Sequence, residues 1–244
     1  MLNNYKRQKH ILLDNPEIYG NLLFSVSKEY FEDGKNELQN SCDYELEKLL
    51  KNDKIFNHNL ANKYYPYKLH TYIFNKNWED GSDYIRKNKI LFKELDSKLI
   101  PSSLLVIYGN CAVICYFIED FVSALKHINS ALDTGSKHMI FYSNFLEILW
   151  LLIQFEKEEF DLIEYRLPSA LKRIQSRKEI VGYEKLFISG FRKIVRNPNK
   201  ENQLQELLKI KSQISALSNQ QFQAISNTFN LVSWIDKMIG RITT

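Results

Sequence analysis

The chain has 244 residues, 44% of them hydrophobic and 25% charged, with a formal net charge of +4. That mixture belongs to a soluble globular protein long enough to bury a sizeable core. Eight glycines and five prolines are too few for the many tight turns of a β-sandwich or a Rossmann-type fold, and three cysteines form neither a disulfide framework nor a zinc-type pair of pairs.

The N-terminal stretch MLNNYKRQKHILLDNPEIYG has basic residues, but only Ile11-Leu12-Leu13 follows them as an apolar run. This is too short for a signal peptide, and sparse cysteine suits a reducing compartment, so a cytoplasmic location is expected. Asn15-Pro16 is a helix start, because Asn caps and proline lacks only an N–H that would be unsatisfied anyway. That helix runs to Gly34, among N-terminal helices placed at 5–55. Pro101 opens a helix whose apolar positions continue to Phe117, and Gly135 ends the next, which begins near Asp120. Over 136–157, Tyr142, Phe145, Leu146, Leu149, Trp150 and Ile153 form one stripe. The stretch FYSNFLEILWLLIQF is interrupted by Asn144, Glu147 and Gln154, which predicts a buried helix and no membrane span. Pro168 falls inside FDLIEYRLPSALKRIQ, where it removes the bond to the Glu164 carbonyl. A kink is expected there, or a helix end near Leu167 with a restart. Asn197-Pro198-Asn199 breaks the C-terminal helices, placed at 180–241. Apolar spacings of three and four recur throughout, and no strand alternation does. The chain therefore reads as all-α, with eleven or twelve helices.

Trp78, Phe121 and Phe160 each follow a helix-length apolar segment and mark the bend of a helical hairpin; they lie 43 and 39 residues apart. Three residues after each anchor stand Gly81, Ala124 and Ile163; seven after stand Ile85, Ile128 and Leu167. Small residues at the first offset let paired helices approach closely, and stacked hairpins bury what one hairpin cannot. Ala112, Phe121, Ala124 and Ala131 in residues 105–138 resemble the small, aromatic and alanine positions of the tetratricopeptide repeat. Ser136 stands where that family usually carries proline. Flanking units lie at 62–95 and 144–177. Residues 149–195 are also similar to the C-terminal part of uncharacterised bacterial tetratricopeptide-like proteins. The resemblance implies a single right-handed α-α superhelix over the whole chain. It also implies a concave groove lined by first helices, with Lys63, His70, Phe74, Val106, Val113, Tyr116, Phe145 and Phe155 either lining it or lying under neighbouring helices.

Catalytic constellations are missing. The histidines His10, His58, His70, His127 and His138 have no metal-ligand spacing, and no GxGxxG, GxxxxGK[ST] or GxSxG occurs. Cys111 and Cys115, four apart on an apolar helix, read as small core residues. No cofactor, metal or catalytic residue is expected. Residues 121–244 carry a net +5 against −1 for residues 1–120. The excess includes Arg173, Arg177, Arg192, Lys193 and Arg196. Phe187, Phe191, Ile194 and Val195 take the other side of their helix, which makes the basic residues an ordinary solvated face. The modest total charge argues against nucleic acid as the main ligand. The expected function is a non-catalytic interaction scaffold or adaptor for a protein or peptide partner. A regulatory sensor with a peptide or small ligand in its groove is the alternative, and a nucleic-acid-associated protein the third.

Overall fold

The computed structural model describes residues 15–52, 56–136, 139–175, 182–217 and 226–244. The described residues contain twelve bounded helices: α1 (Pro16–Glu32), α2 (Asn36–Leu50), α3 (His58–Phe74), α4 (Trp78–Lys87), α5 (Lys89–Leu95), α6 (Pro101–Phe117), α7 (Phe121–Asp133), α8 (Ile140–Glu156), α9 (Phe160–Gln175), α10 (Gly182–Arg196), α11 (Lys200–Ser215) and α12 (Leu231–Thr243). No strand occurs among these residues. The fold is all-α.

Packing follows one rule along most of the chain. Five hairpins form: α1 with α2, α3 with α4, α6 with α7, α8 with α9, and α10 with α11. Each first helix packs on the next first helix, so α1, α3, α6, α8 and α10 make one continuous layer. The second helices α4, α7 and α9 also pack on the first helix that follows them. Short α5 is an insertion against α4. The result is an array of helical hairpins stacked on their neighbours.

The bends explain why the sequence repeats. Gly34, Lys76, Glu119 and Glu158 all have positive φ, between 56° and 68°. In each case the next residue's N–H reaches back five residues: Lys35 to Tyr30 (2.8 Å), Asn77 to Tyr72 (2.9 Å), Asp120 to Cys115 (3.0 Å) and Glu159 to Gln154 (2.9 Å). The positive-φ residue itself donates three back, to Phe31, Ile73, Tyr116 and Phe155. This pair of bonds satisfies carbonyls that a helix end would leave open. Asn36, Trp78, Phe121 and Phe160 then begin the second helices. Four hairpins therefore share one turn, and the first of them lies in the stretch read from sequence as flanking helices. The fifth bend, at Asn197-Pro198-Asn199, has no positive-φ residue.

Counting from this turn gives a register. Three residues into the second helix come Gln39, Gly81, Ala124 and Ile163; seven in come Asp43, Ile85, Ile128 and Leu167. All eight are buried. A Cβ on Gly81 would stand 3.1 Å from Tyr72 Cβ and 3.2 Å from Ile114, which is the close approach its spacing suggested. Ala124 is fully buried between α6 and α7.

Neighbouring helices decide how two of the expected helices are built. The residues of α8 from Tyr142 to Phe155 are all buried, polar Asn144, Glu147 and Gln154 included, so α8 has no exposed side and is more than a one-sided stripe. It is covered by α6, α7, α9 and α10, as a helix apolar all round must be. It begins at Ile140, after Met139 at φ 56°, with residues 137–138 outside those described. Helix α9 runs from Phe160 to Gln175 with Pro168 inside it, so it does not end at Leu167 and restart. Proline also interrupts α3 at Pro66, which cannot donate to the Asn62 carbonyl. The Ser103 hydroxyl of α6 donates to that carbonyl at 3.1 Å, so the lost helical bond becomes an inter-helix one. Asn110 of α6 then bridges three first helices, donating to the Pro66 carbonyl (3.1 Å) and accepting from the Tyr142 hydroxyl (2.8 Å).

Candidate functional site

The residues placed in the groove by sequence fall into two groups. On α3, Lys63 is exposed, His70 is half-buried and Phe74 is 61% exposed. Around them the aromatic rings form a ladder on α1 and α3: Phe24 on Tyr67, Phe31 on Tyr67, Phe31 on Phe74, and His70 beside Phe74, with centroids 5.2 to 6.3 Å apart. On α6 and α8, Val113, Tyr116, Phe145 and Phe155 are buried and Val106 is half-buried. One face thus has an open end and a filled end.

The filling is the chain's own C-terminal segment. Phe229 packs against Tyr116 (5.0 Å), Phe117 (5.6 Å) and Phe145 (5.9 Å). Trp234 of α12 packs against Phe155, Phe187 and Phe191 of α8 and α10. Beside these rings the Glu156 carboxylate, its side chain wholly buried, gathers four donors: the Tyr116 hydroxyl, Trp234 Nε1–H (2.8 Å), Lys237 (2.9 Å) and Arg241 (3.2 Å). Burial and this carboxylate both raise the Tyr116 pKa, which keeps the hydroxyl a donor. Charge-assisted bonds of this kind are the stronger ones. Glu156 stands two residues before the positive-φ residue of its bend, the place held by Phe74 and Phe117 in the two preceding hairpins.

Arg173 lies 2.5 Å from buried Glu147, and Lys193 bonds Glu206 on α11 at 2.9 Å. Arg192 and Arg196 are exposed on α10, and Arg177 lies outside the described residues. Cys111 and Cys115 are unbridged and buried, and burial pushes both thiols up, Cys115 to about 12, which leaves them unreactive. No described helix is long and apolar enough to cross a membrane.

A second feature escaped sequence reasoning. Between α2 and α4, floored by α3, lies a cavity of about 370 Å³ lined by polar side chains, among them Asn36, Gln39, Asn40, Lys68, Asn75 and Asn77. At its base Lys68 donates to Asp43 (2.8 Å), which also accepts from the Ser27 hydroxyl (2.7 Å); all three are buried. Burial works against the Lys68 charge, and Asp43 and Tyr72 more than offset it, so its pKa ends above normal. The signal was available in the register. Gln39 and Asp43 occupy the two offsets that are Gly81 and Ile85, Ala124 and Ile128, Ile163 and Leu167 in the other three hairpins. It was missed because the first hairpin lacks an aromatic anchor, having Asn36 there.

No family model matches this chain, and no curated protein or solved structure matches it significantly.

Proposed function

We propose that this chain is a non-catalytic scaffold or adaptor, a degenerate tetratricopeptide-like array that holds a segment of a protein partner on the face made by its first helices. The observation that carries this reading is Phe229–Arg241. An amphipathic segment with aromatic anchors and two basic residues already lies across α6, α8 and α10 on that face. Helix-in-groove recognition uses the same anchors and the same kind of surface. The repeated turn supports the reading too, because it sets every first helix in the same layer. That layer continues past the C-terminal segment to the half-buried rings of α1 and the exposed Phe74 of α3. A partner segment belongs on this open end, against Phe31, Tyr67 and Phe74.

The test is quantitative affinity capture from the native cell with parent, Phe74→Asp and Arg192→Ala/Arg196→Ala chains, each checked for parental helicity. The scaffold reading expects one or more proteins enriched by the parent and by the arginine variant and lost with Phe74→Asp. Partners retained by Phe74→Asp and lost with the arginine variant would place binding on α10 and sink it.

A further inference from the structure

The cavity between α2, α3 and α4 lies on a different side of α3 from Phe74. Lys68, Thr71 and Tyr72 face it, whereas Tyr67, His70 and Phe74 face the aromatic ladder. Its polarity runs against the packing rule of the array. Offsets three and seven of the second helix are where hairpins close on one another, and three hairpins fill them with Gly, Ala, Ile or Leu. The first hairpin puts a carboxamide and a carboxylate there. Places where a chain breaks its own pattern concentrate at functional positions. Asp43 has its partners in Lys68 and Ser27. Gln39 is different: it is 4% exposed, lines the cavity, and its carboxamide bonds to none of the described residues.

The charges define what would fit. Lys68 is neutralised by Asp43, and Asp83 by Arg86. That leaves Asp80 against Lys87 at the rim, so the cavity favours neither an anion nor a cation. Beside the hydroxyls of Thr71, Tyr72 and Tyr84, what remains is five carboxamides, Asn36, Gln39, Asn40, Asn75 and Asn77. Each offers an N–H donor and a carbonyl acceptor side by side, the complement of a peptide bond. The volume lies at the small end of the range of ligand pockets, roughly 300 to 1,000 Å³. A larger cleft of about 650 Å³ occupies the corresponding place between α7, α8 and α9, but there Arg166 and Arg173 both pair with Glu147, and Arg166 lies over Trp150 at 4.3 Å. Its two arginines are thus already engaged by Glu147.

We infer that the cavity between α2, α3 and α4 binds a short, uncharged stretch of extended peptide backbone, with the Gln39 carboxamide as the central contact and Asn40 and Asn75 flanking it. This site is independent of the first-helix face and stands or falls without it.

Acetyl-trialanine-amide is the probe, titrated into the isotopically labelled full chain while side-chain amide signals are followed by NMR. Saturable movement of the Gln39, Asn40 and Asn75 signals is expected, with maltose and inorganic phosphate producing none at equal concentration. Gln39→Leu supplies the apolar residue that other hairpins use at this offset, so it should fold and should weaken the peptide roughly three- to tenfold, as loss of a neutral hydrogen bond does. Asn75→Ala, at the exposed rim, is the second variant and should weaken it in the same sense. Absence of saturable movement with the peptide would overturn the inference. So would movement with maltose or phosphate instead, or peptide affinity unchanged in both variants.

Discussion

The open and filled ends of the first-helix face are built alike and end differently. Phe74 and Glu156 hold the same place relative to the same turn, on helices packed in the same layer. Phe74 is 61% exposed, whereas Glu156 is buried under Trp234, Lys237 and Arg241. The turn and the hairpin set where a side chain points; what returns from elsewhere in the chain decides whether it becomes core. In a stacked array the neighbour-to-neighbour rule is local, and among the described residues the course of residues 229–244 is a long-range decision.

The largest test of this difference is to remove one ring from each end. Trp234→Ala empties a buried aromatic site and should destabilise by about 3–5 kcal/mol in chemical denaturation. Phe74→Ala removes an exposed ring and should cost less than about 1 kcal/mol. Similar losses at the two ends would erase the distinction. Glu156→Gln comes next. It leaves a hydrogen-bond acceptor for Tyr116 and Trp234 but removes the charge shared with Lys237 and Arg241, both of them 40% or more exposed at the side chain. A loss of about 1–3 kcal/mol is expected, shrinking in high salt.

Two histidines, His70 on the first helix α3 and His127 on the second helix α7, add a pH readout. Burial lowers the pKa of His127 to about 4, with Lys126 adding to the effect and Asp120 opposing it; burial also lowers that of His70. Between pH 6.5 and 4 the unfolded chain therefore binds protons that the native state refuses, so stability falls as pH falls through that window. About 3 kcal/mol of this loss belongs to His127. His127→Asn should remove more of the slope than His70→Asn does. The smallest effect concerns the turn itself. Lys76 and Glu158 adopt a left-handed conformation that suits glycine. Lys76→Gly and Glu158→Gly should each stabilise by under about 1 kcal/mol, and by the same amount, because the turn is the same at both ends. Opposite signs in the two variants would break the shared register.

Much of the array was legible in the sequence. Trp78, Phe121 and Phe160 begin their helices as the spacing placed them, and Ala124 is buried where its offset required. Local chemistry dictates these positions, so periodicity and small residues expose them. The first hairpin was illegible because Asn36 gives no aromatic signal and its offsets carry Gln39 and Asp43. Pro168 predicts a kink or a helix end, and α9 does not end there, because packing against α8 and α10 outweighs one lost hydrogen bond. Tyr116 and Phe145 could be read as groove-lining or covered, and the segment that covers them could not be read. Their burial under Phe229 depends on contacts spanning more than eighty residues, and nothing near either residue records them.

Hydrogen–deuterium exchange of the full chain, parent against Trp234→Ala, tests the central claim most directly. If the C-terminal segment covers one end of the face and leaves the other alone, the variant should speed exchange in α12, the C-terminal half of α8 and the end of α6, while α1 and α3 keep parental rates. Unchanged exchange in α6 and α8, or acceleration in α3 equal to theirs, would contradict it.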